Sequence, residues 1–420
     1  MVIRRAYKTE LKPNARQRES LANHAGAARF AYNWGLARKT ESYEFTGKTP
    51  TAIDLHRELN ALKKIQFPWL YEVSKCAPQE ALRDLDRAFE NFFRRLTLIR
   101  QGKHNGKVGF PRFKSKRRGL GSFRLTGSIH AEPGRIKLPR LGWMRLKENG
   151  YLPPDGTDGV HALSATVSER AGRWFVSLQV DENLPENEPA SGDALGVDLG
   201  VKTLATCSDG QTFENPKALY KNTSRLARLQ KKLCHQEKGS KRREETRKRI
   251  ARLHYRIYCI RSDTIHKATS KIAAKAKPPS ARPGVVVLED LNLSGMMKNR
   301  RLARAVADAS MREFRRQMEY KCSWYGASLL LADRFFPSSK TCSACGEVNS
   351  GLKLSERTFT CPACGHTKDR DLNAAVNLSK VAVSSPETLN GRGGDVRPAQ
   401  SSMQTPEKRQ SEGMAHLSSF

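Results

Sequence analysis

The sequence predicts a mixed α/β fold in two units: a small β-barrel carrying an inserted helical bundle, then an α/β unit built on buried strands. Three observations predict it. Apolar residues recur at helical spacing from Gln17 to about Tyr43 and again, with breaks, from Ile53 to Leu96. From Phe123 the pattern turns to short strands separated by Gly and Pro turns. Further on, Gly284-Val285-Val286-Val287-Leu288 is β-branched without alternation, as a strand covered on both faces requires.

Each element follows in order. Ile3 to Leu11 reads as an opening strand, stopped by Lys12-Pro13-Asn14. The helical stretches after it form the inserted bundle, about 14–120, with one helix expected from Val73 to Leu85. His161–Val167 and Trp174–Val180 flank Arg170-Ala171-Gly172 and read as a hairpin near the end of a first unit, 1–185. Glu182 to Asp193, rich in Pro, Glu and Asn, reads as a linker with its body at 186–193. The second unit spans 194–383. Within it Leu226, Leu229, Leu233, Ile250, Leu253 and Ile257 repeat at helical spacing around Gly239-Ser240, predicting a helical hairpin with one buried stripe. Residues 384–420 are aperiodic and poor in aromatics, and read as a disordered tail.

Composition narrows the function class. The chain has 420 residues, with 75 Lys and Arg against 42 Asp and Glu, a formal net charge of +33. Such an excess requires a polyanion nearby, and nucleic acid is the expected one. Lys103, Lys107, Arg112, Lys114, Lys116, Arg117 and Arg118 lie between Gly102 and Arg118 with no acid among them. Phe110-Pro111-Arg112-Phe113 sets aromatics inside that run, as a surface that tracks a backbone and stacks bases requires. From Arg225 to Arg256, thirteen Lys or Arg stand against three Glu on the outer face of the helical hairpin. No apolar run approaches the ~18 residues of a membrane helix, and the N-terminus lacks the apolar core of a secretory signal. A cytoplasmic protein with no membrane partner is expected.

Three short segments carry acids at element ends. In Leu195-Gly196-Val197-Asp198-Leu199-Gly200, the glycines let backbone and ligand approach the Asp198 carboxylate closely. In Leu288-Glu289-Asp290-Leu291, a buried strand delivers a carboxylate at its C-terminal edge. Neighbouring strand side chains point to opposite faces, so only one of Glu289 and Asp290 can enter a shared site. In Lys368-Asp369-Arg370-Asp371-Leu372-Asn373, a helix begins, with Asp369 suited to the N-cap and Asp371 to the first turn. Its expected inward stripe is Leu372, Ala375, Val376 and Ser379, and again one acid of the pair is structural. Taken singly, each acid reads as well as a turn or a solvated element end. Converged in so basic a chain, they need neutralising, which a divalent metal does.

Between the last two acids lies the sharpest local pattern. Cys342-Ser343-Ala344-Cys345 and Cys361-Pro362-Ala363-Cys364 form two C-x2-C pairs, with Gly346 and Gly365 after them for the turns. Four thiolates at that spacing predict a closed tetrahedral zinc ribbon at about 336–367, and a closed shell makes the Zn²⁺ structural rather than catalytic. His366 reads as a turn residue. Cys76, Cys207, Cys234, Cys259 and Cys322 are scattered and read as core or neutral positions.

Taken together, these segments resemble the TnpB proteins of insertion sequences, transposon-encoded RNA-guided endonucleases related to type V CRISPR effectors. The likeness extends to Tyr7–Pro13, Ala28–Asn33, Val108–Lys114, Ile136–Trp143, Lys298–Ala303, Phe336–Ser339 and Thr388–Gly394, and so covers nearly the whole chain. It implies an RNase H-like RuvC nuclease domain at 194–383, with the zinc ribbon inserted before the last acid, and a wedge-type β-barrel at 1–185. By position, Asp198, Glu289 and Asp371 match the family's metal ligands, leaving Asp290 and Asp369 structural. The implied chemistry is phosphodiester hydrolysis with two Mg²⁺. The implied partners are a guide RNA from the transposon end and a target double-stranded DNA, cut beside a short motif. Arg357 and Arg370 are placed to hold the scissile phosphate, Arg112, Lys114 and Lys116 to hold nucleic acid, and Lys75, Gln79 and Thr126 to read the motif. Two rival functions share the scaffold. A guided repressor that no longer cuts would be expected to have lost a ligand, and a strand-transfer transposase would join ends rather than merely cut them.

Overall fold

Lys12-Pro13-Asn14 ends β1 (Val2–Glu10) and starts α1 (Ala15–Thr46). The Asn14 side chain accepts from the Gln17 N–H at 2.8 Å while Gln17 accepts from the Asn14 N–H at 3.1 Å, a reciprocal cap. Thr51 and Asp54 repeat the device at α2 (Ala52–Lys63). A 3-10 turn at Pro68–Glu72 then leads to α3 (Cys76–Arg100), which packs along α1. This helix begins three residues later than expected. Val73 is extended, which bars a helical turn there, and the Ser74 N–H just before the helix donates to His24 Nε2 at 3.0 Å. Lys75 is therefore the N-cap residue. The computed structural model describes residues 2–383 apart from 104–105, 117–118, 158, 184–187, 275–276 and 354; Arg117, Arg118 and the expected tail 384–420, with Thr388–Gly394, lie outside the described residues.

Six strands follow: β2 (Ser122–Leu125), β3 (His130–Glu132), β4 (Arg135–Leu138), β5 (Gly142–Arg145), β6 (Val160–Arg170) and β7 (Arg173–Asn183). They form two antiparallel sheets, ordered β1-β7-β6-β2 and β3-β4-β5, joined by a bridge between Leu11 and Leu146. Leu125, Ile136, Leu138 and Val167 of these sheets share one buried core with Leu21, Leu36 and Leu82 of the helices. The β6–β7 hairpin turns at Ala171 and Gly172, with φ of 55° and 77°, and pairs outward to Val160 and Glu182. Glu182, expected in a linker, is buried in β7, 2.9 Å from Arg5 and accepting from the Tyr7 hydroxyl. The described linker residues are docked as well. The Ala190 N–H donates to the Gly326 carbonyl at 3.0 Å, and Gly192 bridges to Pro283.

The second sheet brings the acid segments together. Its strands are β8 (Leu195–Leu199), β9 (Thr203–Cys207), β10 (Thr212–Glu214), β11 (Val285–Glu289) and β12 (Ser328–Ala332), in the order β10-β9-β8-β11-β12. The first three are antiparallel to one another, while β8, β11 and β12 run parallel. Helices α4 (Ala218–Cys234) and α5 (Lys241–Ile272) form the expected hairpin over Leu226, Leu229, Leu253 and Ile257, leaving Arg225, Arg228, Lys231, Lys232 and Arg249 exposed. The short α6 (Leu293–Met296) and α7 (Ala303–Ala309) precede α8 (Met311–Trp324), whose Phe314 and Met318 pack with Ile265 of α5 and with Val197 and Leu288 of the sheet. A small hairpin, β13 (Thr358–Thr360) and β14 (Thr367–Asp369), leads into α9 (Arg370–Val383).

Helix α9 lies directly across β8, and Gly196 makes that possible. A Cβ at Gly196 would stand 2.0 Å from the Ala375 carbonyl oxygen and 2.5 Å from the Ser379 nitrogen. The inward face of α9 differs from the expected stripe. Asn373, Ala374, Ala375, Asn377 and Leu378 are buried, whereas Leu372, Val376 and Ser379 are only half-buried. The helix is covered from two directions, by the sheet and by the cysteine segment, so its buried arc is wider and partly polar.

Gly196→Ala should therefore cost about 3 kcal/mol or more, because the added methyl meets backbone rather than a flexible side chain. A substantial fall in melting temperature checks this; an unchanged one would mean that α9 is not seated on Gly196.

Candidate carboxylate centre and zinc ribbon

Strand register places the first two acids. Val197 is paired with Leu288 on neighbouring parallel strands, so Asp198 and Glu289 follow at matching positions and point to the same face. Gly196 shares that face by alternation, and α9, seated there, brings Asp371 in its first turn to the same edge. Burial, together with the negative charge of Glu289 and Asp371, pushes the Asp198 carboxyl up to about 8, opposed by the Arg370 guanidinium. Burial also raises Glu289, offset in part by the hydroxyl of Ser338, which donates to its Oε1. The other member of each pair has a separate task. Asp290 binds Arg315 at 3.0 Å and also Arg334, which holds it below the usual carboxylate range. Asp369 caps α9, its Oδ1 accepting from the Asp371 and Leu372 N–H groups at 3.0 and 3.1 Å.

The four cysteines are gathered more tightly. Among the described residues, they alone bring three or more ligand atoms from His, Cys, Asp or Glu within 4.8 Å of one another. Cys342 Sγ lies 3.7 Å from Cys364 Sγ, and Cys345 Sγ lies 3.5 Å from Cys361 Sγ. Four sulfurs around one Zn²⁺ would be about 3.8 Å apart, so the cluster fits that ion. Each C-x2-C loop closes through a glycine N–H, Gly346 to the Cys342 carbonyl at 3.0 Å and Gly365 to Cys361 at 3.1 Å. His366 Nε2 stands 3.4 Å from the Ser343 hydroxyl, beside the cluster. Of the remaining cysteines, Cys207 and Cys322 are buried, with thiols pushed up to about 12, and Cys76 is buried too.

The candidate nucleic-acid residues are distributed unevenly. Arg357 and Arg370 stand 3.8 and 3.7 Å from Asp371 Oδ1, so both cations border the carboxylate centre. Arg112 and Lys116 are exposed. Lys114 is held down: its N–H and carbonyl bind the Asn33 side chain at 2.8 and 2.9 Å, and its ammonium lies 3.7 Å from the Tyr32 ring centroid. Phe110 packs edge-on against Phe89 and Phe92, leaving Phe113 the more open ring of that segment at 60% exposed. Lys75 and Thr126 line one cavity of about 630 Å³ with His56, Asn60 and Arg140. Gln79 lies one turn further along α3, its N–H donating to the Lys75 carbonyl at 3.4 Å, and is not part of that lining. The sequence reading passed over Ser338, Asn373 and Asn377. Two asparagines four residues apart inside an alanine-rich helix were the available signal, since asparagine disfavours a helix interior unless its amide has a partner.

In magnesium-free buffer, stability should fall as pH rises from about 4 to about 8. The native Asp198 carboxyl keeps its proton until about 8 while the unfolded one releases it near 3.8. Asp198→Asn should flatten that slope and raise the melting temperature at pH 8, as thermal denaturation across pH would register. Cys342→Ser should release zinc in proportion to ribbon unfolding, read by metal analysis; full zinc occupancy in that variant would remove the four-thiolate site.

Comparisons with known proteins agree with this layout. Family models match along the chain: "Helix-turn-helix domain" at residues 1–48, "Probable transposase" at 165–300 and "Cas12f1-like, TNB domain" at 312–378. In this chain the first of these spans β1 and one continuous helix. A Streptomyces pristinaespiralis protein named as a candidate RNA-guided DNA endonuclease is 34% identical over 407 residues, covering 96% of this chain and 94% of its own. InsQ of Escherichia coli (strain K12), named in the same way, is 33% identical over 391 residues, covering 89% and 91%. Among solved structures, a Cas12f1–sgRNA–target DNA complex superposes with a TM-score of 0.53 at 14% identity, covering 90% of this chain and 99% of that one, a likeness of fold. The chain belongs to the TnpB family of proteins, the transposon-encoded relatives of the Cas12f effectors.

Proposed function

We propose that this protein is an RNA-guided DNA endonuclease whose cutting centre is formed by Asp198, Glu289 and Asp371. One observation carries the reading: two acids at matching positions of adjacent parallel strands meet a third on the helix laid across them, in a chain of net charge +33. The sheet order β10-β9-β8-β11-β12, antiparallel then parallel, is the order expected of an RNase H-like RuvC domain, with 194–383 as its extent. The donor set suits a hard divalent cation: three carboxylates close enough for Glu289 and Asp371 to raise the Asp198 carboxyl, none of them spent on a helix cap. Mg²⁺ held there, two ions by the resemblance to the family, would polarise the scissile phosphate and lower the pKa of a bound water. The residues of the chain then divide the work. Ser338 orients Glu289, Asp369 fixes the helix turn that presents Asp371, and Arg357 and Arg370 offer cations to the phosphate beside it.

The sheets and helical bundle of 1–185, with the exposed cationic face of α4 and α5, supply the surface for a guide RNA and a target DNA duplex. Sequence reading passes to base pairing. The cavity of Lys75 and Thr126, with Gln79 nearby, is the place for the short motif beside the target. No described helix is long and apolar enough to cross a membrane, and a nuclease acting on its host's DNA belongs in the prokaryotic cytoplasm. The retained acids argue against a repressor that only binds, and an assay for joined ends separates cutting from strand transfer.

Asp198→Ala should abolish cleavage in Mg²⁺ while RNA-guided DNA binding stays within a few-fold of wild type. Retained cutting would sink the assignment. Replacing Lys75 and Thr126 together by Ala should weaken guided target binding about tenfold without weakening RNA binding, checked by parallel affinity measurements on the two nucleic acids.

A further inference from the structure

We propose that the zinc ribbon is part of the scaffold of the cutting centre, coupled to it by a buried polar relay of Ser338, Asn373 and Asn377. The inference rests on the proposed carboxylate centre and adds positioning residues to it. Asn373, Asn377, Ser338 and Ser343 are 0%, 3%, 4% and 7% exposed, so their amides and hydroxyls are removed from water and must be satisfied internally. They are satisfied by one another's segments. The Asn373 amide donates to the Thr341 carbonyl at 2.7 Å, and its Oδ1 accepts from the Ser343 N–H, the residue after Cys342, at 2.9 Å. The Asn377 amide donates to the Ser338 and Thr341 carbonyls at 2.8 and 2.6 Å. Ser338 in turn gives its hydroxyl to Glu289. Lys380, one turn further along α9, adds a bond to the Ser343 carbonyl.

These bonds form a closed circuit. The first C-x2-C loop is tied to the helix bearing Asp371, and the segment leading into that loop is tied to both that helix and Glu289. Ribbon, helix and strand end therefore keep one mutual geometry. Zinc, by ordering the loop that offers Ser343 N–H and Thr341 carbonyl, orders the acids as well. The amides are directional. Asn377 contributes two donors facing two carbonyls, so Asn377→Asp keeps the shape but sets a carboxylate against them, and Asn373→Asp keeps its acceptor while losing its donor.

The test uses the full chain with its copurified RNA and the variants Asn377→Asp, Asn373→Asp and Ser338→Ala. Zinc content, hydrogen exchange of residues 285–290 and 370–378, and cleavage kinetics are measured on each. The relay predicts one zinc per chain in every variant. It further predicts faster exchange in both peptides for the two asparagine variants, and kcat reduced about 10- to 100-fold in all three with KM for matched target unchanged. Zinc loss with unchanged exchange at 285–290 and unchanged cleavage would show that the asparagines serve only the ribbon, and unchanged exchange with full zinc would show that no coupling exists; either overturns the proposal. Exchange and zinc are read without cleavage, so wild-type protein that fails to cut would refute the nuclease reading while the relay is still judged on its own.

Discussion

The seat of α9 on β8 is the contact on which the site depends. Two acids on adjacent strands are a local consequence of register, but the third comes from a segment about eighty residues later in the chain, and only close approach of helix and sheet brings it in. Gly196 permits that approach by having no side chain where the Ala375 carbonyl passes. The glycine before Asp198 is thus a packing requirement for the helix that carries Asp371. This requirement and the acid chemistry meet within three residues of β8.

The approach has an electrostatic cost. Glu289 and Asp371 repel a charge on Asp198, and burial adds to that. The protein answers with protonation at Asp198, whose carboxyl is pushed up to about 8, with the nearby Arg357 and Arg370, and with the hydroxyl of Ser338 on Glu289. Each is weaker than a divalent cation would be if all three acids bound it. On the proposed reading, metal binding would relieve a repulsion that lowers metal-free stability, and the ribbon's bonds to α9 keep the site from relaxing by letting the helix move away.

Much of this was legible in the sequence, and the exceptions have physical reasons. The cysteine spacing, the strand ending at Glu289 and the cap at Asp369 depend on local chemistry, and local chemistry decided them. The α4–α5 hairpin followed from its periodicity in the same way. Three features depended on contacts that no window of sequence contains. The helix at α3 starts late because Val73 is extended and the Ser74 N–H is anchored to His24, fifty residues earlier. Glu182 is in a strand rather than a linker because Arg5 and Tyr7 of β1 satisfy its carboxylate. The buried face of α9 is partly polar because a second partner, the ribbon, covers it from the side. Lys114, expected to hold nucleic acid, is exposed and is also steadied against α1 by Asn33 and Tyr32, a contact that no window of sequence contains.

The central claim is that Asp198, Glu289 and Asp371 converge on one divalent-metal site beside a separate zinc. Anomalous scattering from crystals grown with Mn²⁺ and collected at both the manganese and zinc edges tests it directly. The account predicts a manganese peak bounded by those three carboxylates and a zinc peak among Cys342, Cys345, Cys361 and Cys364. A zinc peak with no manganese density among the acids, in crystals where the three side chains are ordered, would contradict it.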